Sequence, residues 1–507
     1  MLITPLLNWG ALHVGAVAWS DERKPISCDV PQGVAFRVEP ARLGEPLFAM
    51  DRPWERDTLG WAQVLEDGGR YRMWYSVVKD SPGERELLCY AESADGQTWD
   101  KPELGLIEID GSTANNVVRV GPGMSHTCVL VCPHEPPATR YRCMYFKSWW
   151  EGKPGEELDS AEGHHRLNVK NAAKAGEITL PVNLLGMMLG MTSPDGLRWT
   201  PMAAPILNEW HDTHNICVYD AQAGLYRAYL RGCYGARRAI AYSETRDFAH
   251  WPASRVIHHT LPCDPPDESL YSNCYTRYPG CPELHLMFPA IYQQSTDSTY
   301  GQLAVSLDGL NWERFSGQVI VPHGPSGAPD GGMVYPEPEL LRCSKRGVLR
   351  MVCNSGPRYH NEWYNEHLRK QCTKSFYRWA EWTEERLAGL AADADGSFTL
   401  QMQAIGDRLL ANYRCAPGGW VRFELVDRLV WPPYPTPGIP GYCFEDAVPL
   451  TGDATHAPVC WRDHPTTVSL HGKAMAIRVR MHKATLFAVT TYGVEEPFVR
   501  TDPRFPV

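Results

Sequence analysis

Five short stretches of this chain hold acids, imidazoles and amides where an apolar strand would serve structure alone. They are Asp51-Arg52-Pro53-Trp54-Glu55, Ser125-His126, His211-Asp212-Thr213-His214-Asn215, Asp267-Glu268 with Tyr271-Ser272-Asn273, and Tyr335 with Glu337 and Glu339. Three of the carboxylates, Asp51, Asp212 and Glu337, suit general acid/base work. Neighbouring acids raise one another's pKa, so one can stay protonated while another ionises. Breaking a glycosidic bond calls for that division, with an acid at the leaving oxygen and a carboxylate opposite. On this reading Asp51 is base or nucleophile, Glu337 is the acid, and Asp212 is a pKa modulator or alternative acid. Trp54, Tyr271 and Tyr335 offer flat faces to a sugar ring. Glu55, His126, His211, His214, Asn215 and Asn273 supply hydrogen bonds around it. Arg231 or Arg237, with His360, reach hydroxyls or a carboxylate.

The spacing His211-x-x-His214 raises a metal reading. On a strand, residues three apart point to opposite faces, so the two rings do not converge on one ion and no zinc is expected. A structural Ca²⁺ in a central channel stays open; no other cofactor is expected. His164-His165 and His258-His259 read as loop residues. The chain has no phosphate-binding glycine loop, no dinucleotide fingerprint, no nucleophile elbow and no zinc-protease helix motif.

Residues so far apart in sequence need a scaffold that brings segment starts together, and a repeat supplies one. Ser93-x-Asp95-Gly96-x-x-Trp99 recurs as Ser193-x-Asp195-Gly196-x-x-Trp199 and as Ser306-x-Asp308-Gly309-x-x-Trp312. A degenerate copy carries Ser243, Asp247 and Trp251. Asp-Gly suits a turn with positive φ, and the Ser and Asp oxygens can accept from local amides. These turns are therefore structural, not sugar-binding. Between them run alternating segments at 71–78, 141–146, 225–231, 284–292 and 348–353, the signature of half-buried strands. Five such units, at 51–109, 126–207, 211–259, 269–321 and 333–393, predict an all-β fold, a five-bladed β-propeller. Inner strands of a propeller start at its central channel, which is where the five polar stretches would meet.

The insertion at 150–185 reads as a surface loop that overhangs one face. Past Asp395-Gly396, strands at 398–405, 408–414, 420–426, 475–481 and 484–491 predict a β-sandwich, with a stiff proline-rich connection at 431–441. The predicted organisation is an extended segment 1–44, a propeller 45–395 and a sandwich 396–507.

The 507 residues carry a formal net charge of −10 and no basic run, which argues against nucleic acid as a partner. No apolar stretch is long enough to cross a membrane as a helix. The opening segment lacks the marks of a signal peptide, and the 16 scattered cysteines suit free thiols in a reducing cytoplasm. A homo-oligomer stays open.

The run at 90–118, the His211–Asn215 stretch with 225–251, and the segment 441–489 resemble predicted bacterial glycoside hydrolases. These are related to the five-bladed propellers of glycoside hydrolase families 32, 43 and 68. The resemblance spans about 50 to 490 and implies a carbohydrate-active enzyme with axial carboxylates. Those families place an Asp on blade one, an Asp on blade two and a Glu on blade three. Asp51 matches the first; His126 and Asp212 stand at the other two. The missing blade-three Glu keeps two alternatives in view: a lyase, isomerase or tailoring enzyme on the same scaffold, and a carbohydrate-binding module without turnover.

Overall fold

A computed structural model describes residues 2–55, 58–78, 86–121, 123–150, 184–364, 367, 375–427 and 436–494. The expected overhanging insertion, His164-His165 and the start of the proline-rich connection lie outside these residues. The chain is all-β and divides into two compact units. One comprises 40–341 with 350–381; the other comprises 1–39, 342–349 and 382–507. Among the described residues no helix is long and apolar enough to cross a membrane.

The larger unit is a succession of four-stranded antiparallel sheets. The first holds Thr58–Asp67, Arg70–Val78, Leu87–Ser93 and Val117–Val120. The second holds Cys128–Val131, Tyr141–Trp150, Leu184–Ser193 and Thr200–Pro201. The third holds Ile216–Asp220, Leu225–Tyr234, Arg237–Thr245 and Arg255–His258. The fourth holds Tyr275–Tyr278, Cys281–Met287, Ala304–Ser306 and Glu313–Arg314. In the fifth, Met333–Pro336, Val348–Gly356 and Phe376–Thr383 are completed by Arg42–Pro46 from near the N-terminus. That borrowed strand is why the fifth repeat lacks an Asp-Gly-x-x-Trp turn. A parallel bridge from Met333 to Thr299 adds three further strands to this sheet.

Inner strands touch in a closed cycle. The Val129 amide donates to Gln63 Oε1 (2.7 Å), and the Cys217 amide to Cys128 Sγ (3.3 Å). Asn273 Nδ2 donates to the Tyr229 carbonyl (2.9 Å), the Leu340 amide to Thr276 Oγ1 (3.1 Å), and Asn354 Nδ2 to the Gly60 carbonyl (2.8 Å). These bonds link sheets one to two, two to three, three to four, four to five and five back to one. Radial repetition of this kind leaves only short, protected sheet edges, which is how propellers manage edge strands.

The repeated turns fasten this cycle. Ser193 Oγ accepts from the Gly196 amide (2.9 Å), and Asp195 Oδ1 accepts from the Leu197 and Arg198 amides (both 2.8 Å). Gly196 holds φ at +77°, and its carbonyl accepts from Trp74 Nε1 of the first sheet (2.7 Å). Gly96 likewise accepts from Trp379 Nε1 (2.7 Å), and Gly309 from the Tyr229 hydroxyl (3.2 Å). The neighbouring aspartate carbonyls accept guanidinium donors: Asp195 from Arg72, Asp95 from Arg350 and Asp308 from Arg227. Each motif is thus a staple from one sheet to the next.

The second unit departs from the expected set of short strands. Its sheet runs Asp453–Pro458, Arg408–Val426, Ala474–Tyr492, Ala388–Ala404 and Ala35–Val38, with Leu2–Pro5 also on Ala474–Tyr492. The segments 408–414 and 420–426 are halves of one strand, bulged between Cys415 and Trp420, and 475–481 and 484–491 are halves of another. Bulges bend strands, so this sheet packs on itself: Leu409, Tyr413, Val421 and Phe423 share one core with Ile477, Val479, Leu486 and Trp461. The boundary expected at 395–396 falls inside Ala388–Ala404, and residues 1–39 belong to this unit rather than forming a separate segment.

Candidate functional site

The inner-strand starts converge on a cluster of aromatic side chains in the larger unit, the candidate chamber. Trp61 opens the first sheet there. Its indole stacks on the His214 ring at 5.2 Å and meets Tyr335 edge-on at 4.9 Å. Tyr271 lies 5.4 Å from Tyr335 and 6.5 Å from Trp61. Trp61, Tyr271 and Tyr335 are partly exposed residues, whereas His214 and Glu337 behind them are buried. Wide apolar faces beside a few fixed polar groups are what a ring-shaped polar ligand requires.

Behind the aromatic wall, His214 Nδ1 sits 3.2 Å from Glu337 Oε2. His214 Nε2 lies 3.0 Å from the Thr127 carbonyl, which can only accept, so Nε2 carries the hydrogen. Burial drives His214 down to about 3, and His126 nearby adds to the effect. The ring is therefore neutral and offers Nδ1 as a lone pair. Burial also pushes the Glu337 carboxyl well above its usual range, with the Ala62 amide offsetting only part of the rise. A carboxylate against a bare Nδ1 would be repelled, so the geometry and the burial of both groups favour a protonated Glu337 beside a neutral His214.

Asp212, two residues earlier, is partly exposed and pairs with Arg231 at 3.2 Å. Arg231 also donates to the Tyr271 carbonyl and lies over the Tyr271 ring at 4.7 Å. His360 Nε2 sits 3.1 Å from the Tyr271 hydroxyl. His126, held by Ser125 Oγ at 2.9 Å, is half-buried and close enough to affect His214 electrostatically. Asp212, His214, Arg231, Tyr271, Tyr335, Glu337, His360 and, more loosely, His126 thus belong to one neighbourhood.

Other expected site residues do something else. Asp51 lies in a separate cleft with Phe48, Trp99 and Lys101, and Lys101 Nζ is 3.2 Å from its carboxylate. Burial raises its pKa, but the Lys101 bond and charge outweigh this and hold the carboxyl below its usual range. Glu55 is fully buried, bonded to Lys101 Nζ (2.7 Å) and the Tyr75 hydroxyl (2.5 Å), and so anchors the chain entering the first sheet. Trp54 donates to Asn116 Oδ1 at 2.9 Å within the same anchor. The placement of Asp51, Trp54 and Glu55 at the chamber is therefore corrected: the inner strand begins at Thr58, so the residue in their place is Trp61.

His211 turns away from His214. Its Nδ1 donates to the Arg231 carbonyl (2.7 Å) and its Nε2 lies 3.0 Å from Glu209. Asn215 ties the carbonyls of His211 and Thr213 to the Arg231 amide, and Asn273 bridges Tyr229 and Tyr275. These three hold backbone, not ligand. Among the described residues, groups with metal-ligand spacing are Glu384-Glu385-His456 and Glu424-Cys443-Glu445, both in the other unit and both engaged by arginines.

Arg238 escaped the sequence reading besides Trp61, and Glu339, read there as part of the fifth polar stretch, was given no role. Glu339 has φ +77° and contacts Gln63, and burial pushes its carboxyl up to about 7. Arg238 lies 5.0 Å from the Tyr271 ring centre. Trp61 is partly exposed just ahead of buried Ala62, Gln63 and Val64, and a large aromatic near the start of the strand is the signal that could have placed it.

No family model matches the chain. Uncharacterized proteins MT1551 and Rv1502 of Mycobacterium tuberculosis are each 38% identical to it over 80 residues, covering 15% of this chain and 26% of theirs. The chain thus matches about a quarter of the length of those curated relatives. Among solved structures it is similar to an N-acetylgalactosamine deacetylase from F. plautii (TM-score 0.43, 14% identity, 68% of this chain and 94% of that one). It is also similar to a family 32 β-fructofuranosidase of Bombyx mori (TM-score 0.39, 7% identity, 91% and 93%) and to a thermostable family 43 glycoside hydrolase (0.39, 12%, 65% and 91%). At these identities and scores the likenesses assign no activity to this chain.

Proposed function

We propose that the five sheets are the blades of one propeller and that its chamber binds a terminal or short glycoside and hydrolyses it. The observation that carries this reading is the division of labour between two carboxyl groups. Glu337, its pKa raised by burial, lies against His214, and Asp212 pairs with Arg231. Glu337 would give its proton to the leaving oxygen. Asp212 would activate water, or attack directly, at the other face of the sugar. Trp61, Tyr271 and Tyr335 would receive the apolar faces of the ring. Because Glu337 has no exposed surface, the side chains over it must part before it can act.

That complete burial favours a second reading, a chamber that binds sugar without turnover, with Glu337 and His214 as a neutral structural pair. A panel of aryl glycosides and short oligosaccharides in ¹⁸O-water separates the two. Hydrolysis places one solvent oxygen in the product. Asp212→Asn and Glu337→Gln should each lower turnover on the order of a thousandfold while sugar binding persists. Saturable binding with no bond cleaved on any member would leave the binding reading, and turnover unchanged in both variants would remove the proposed chemistry.

A further inference from the structure

We infer that the chamber is built for a sugar bearing an anionic group, a carboxylate or a phosphate, and that Arg238 receives it. The inference rests on the carbohydrate reading above and narrows its substrate class. Arg238 projects from the third strand of the third sheet. Its guanidinium lies over two rings at once, 5.0 Å from the Tyr271 centre and 5.2 Å from the Tyr292 centre.

Neighbouring charged groups have partners of their own, whereas Arg238 has no ion pair among the described residues. Arg231 is balanced by Asp212. Asp297 accepts from the Tyr292 hydroxyl (2.8 Å) and from Asn361 Nδ2 (2.7 Å). Glu337 and His214 share a proton and carry no net charge. His360, which bonds Tyr271, is held down to about 4 by burial and then by Arg238, so it stays neutral at pH 7. Among the described residues Arg238 makes neither an ion pair nor a hydrogen bond, and it is partly exposed. A guanidinium packed against two aromatic rings, with no acid paired to it, keeps N–H donors for a ligand, and a guanidinium matches a carboxylate or phosphate in bidentate fashion. Tyr271 is also a wall of the chamber, so an anion on this edge would belong to a sugar lying on that wall.

The test is calorimetric binding of matched monosaccharides to the full chain: glucose, glucuronate and glucose 6-phosphate, then galactose, galacturonate and galactose 6-phosphate. Inorganic phosphate and acetate serve as anions without a ring. At low salt one anionic sugar should bind about tenfold tighter than its neutral parent, and the uronate and phosphate arms tell the two sources apart. The preference should shrink toward one in roughly 0.5 M salt and in Arg238→Met, which keeps the stem on the rings. Neutral sugars binding as tightly as anionic ones, or a preference intact in Arg238→Met, overturns the inference and leaves the carbohydrate reading in place. Phosphate or acetate binding as well as the sugar anions, and requiring Arg238, keeps the anion site and removes the carbohydrate reading. Absence of binding by every probe overturns both.

Discussion

Glu337→Gln tests the proton count on which the proposed chemistry depends. In the unfolded chain a glutamate titrates near about 4.3 and a histidine near about 6.5. Between those values the unfolded pair carries about one proton, and above them none. The folded pair keeps its proton, because burial raises the Glu337 pKa and lowers that of His214. The raised acid favours the folded state at low pH and loses that advantage as pH rises. The depressed imidazole favours it at high pH and loses that advantage as pH falls. The pair's own contribution to wild-type stability should therefore be flat between about pH 4.5 and 6.5, then fall by about 1.4 kcal/mol per unit until the folded Glu337 pKa is passed. The glutamine amide can donate to His214 Nδ1 but brings no proton to titrate. Only the imidazole contribution remains, rising to about pH 6.5 and flat beyond. Relative to wild type, the variant should gain about 2.7 kcal/mol between about pH 5.5 and 7.5. Urea unfolding of both proteins across that range, on the transition they share, gives the two profiles. Parallel profiles would mean that Glu337 ionises as an ordinary carboxyl and would refute the argument. Nitrogen NMR of His214 then locates the proton: one protonated ring nitrogen places it on the acid, and two place it on the imidazole.

Three further outcomes follow from the same geometry. Gly196→Ala should cost about 2–4 kcal/mol in urea unfolding: the residue sits at φ +77°, and a Cβ there would meet Trp74 Cζ2 at 2.7 Å. Trp61→Ala should weaken binding of any sugar that binds wild type by about tenfold, measured by calorimetry; equal affinity would take the ring off the wall. Asp51→Asn should leave turnover within about twofold, a shift no larger than that of a surface substitution, since Asp51 lies with Lys101 in another cleft. Loss of turnover comparable to Asp212→Asn would return it to the mechanism.

The fold was legible where residue type alone dictates geometry. Ser-x-Asp-Gly-x-x-Trp announces a turn because Gly196 must take positive φ and because Ser193 and Asp195 must find amides close by. What the motif fastens was not legible. The partners are Trp74 and Arg72, more than a hundred residues away, and nothing local specifies that pairing. The same distinction runs through the site. His214, Asp212, Tyr271 and Glu337 stood out because polar groups at strand starts are costly without a purpose. Asp51 and Glu55 stood out for the same reason, yet their purpose is to meet Lys101. A buried ion pair and a ligand site look alike in sequence, since both put charge where packing alone would not.

Arg238 and Arg231 show what only the folded chain can decide. Both lie on adjacent strands of the third sheet, and both place a guanidinium over Tyr271. By residue type they are interchangeable, and the sequence reading offered Arg231 or Arg237 and passed over Arg238. The fold sets Asp212 beside Arg231 and, among the described residues, gives Arg238 no ion pair. An arginine already matched by a carboxylate has little to offer an incoming anion, because a ligand would have to displace that carboxylate. An unmatched one, held by two rings and open to solvent, has its donors in place beforehand, and preorganisation of this kind is what raises affinity at a binding site. If the chamber discriminates among sugars by charge, the discrimination should depend on Arg238, while Arg231 keeps Asp212 in position for the chemistry.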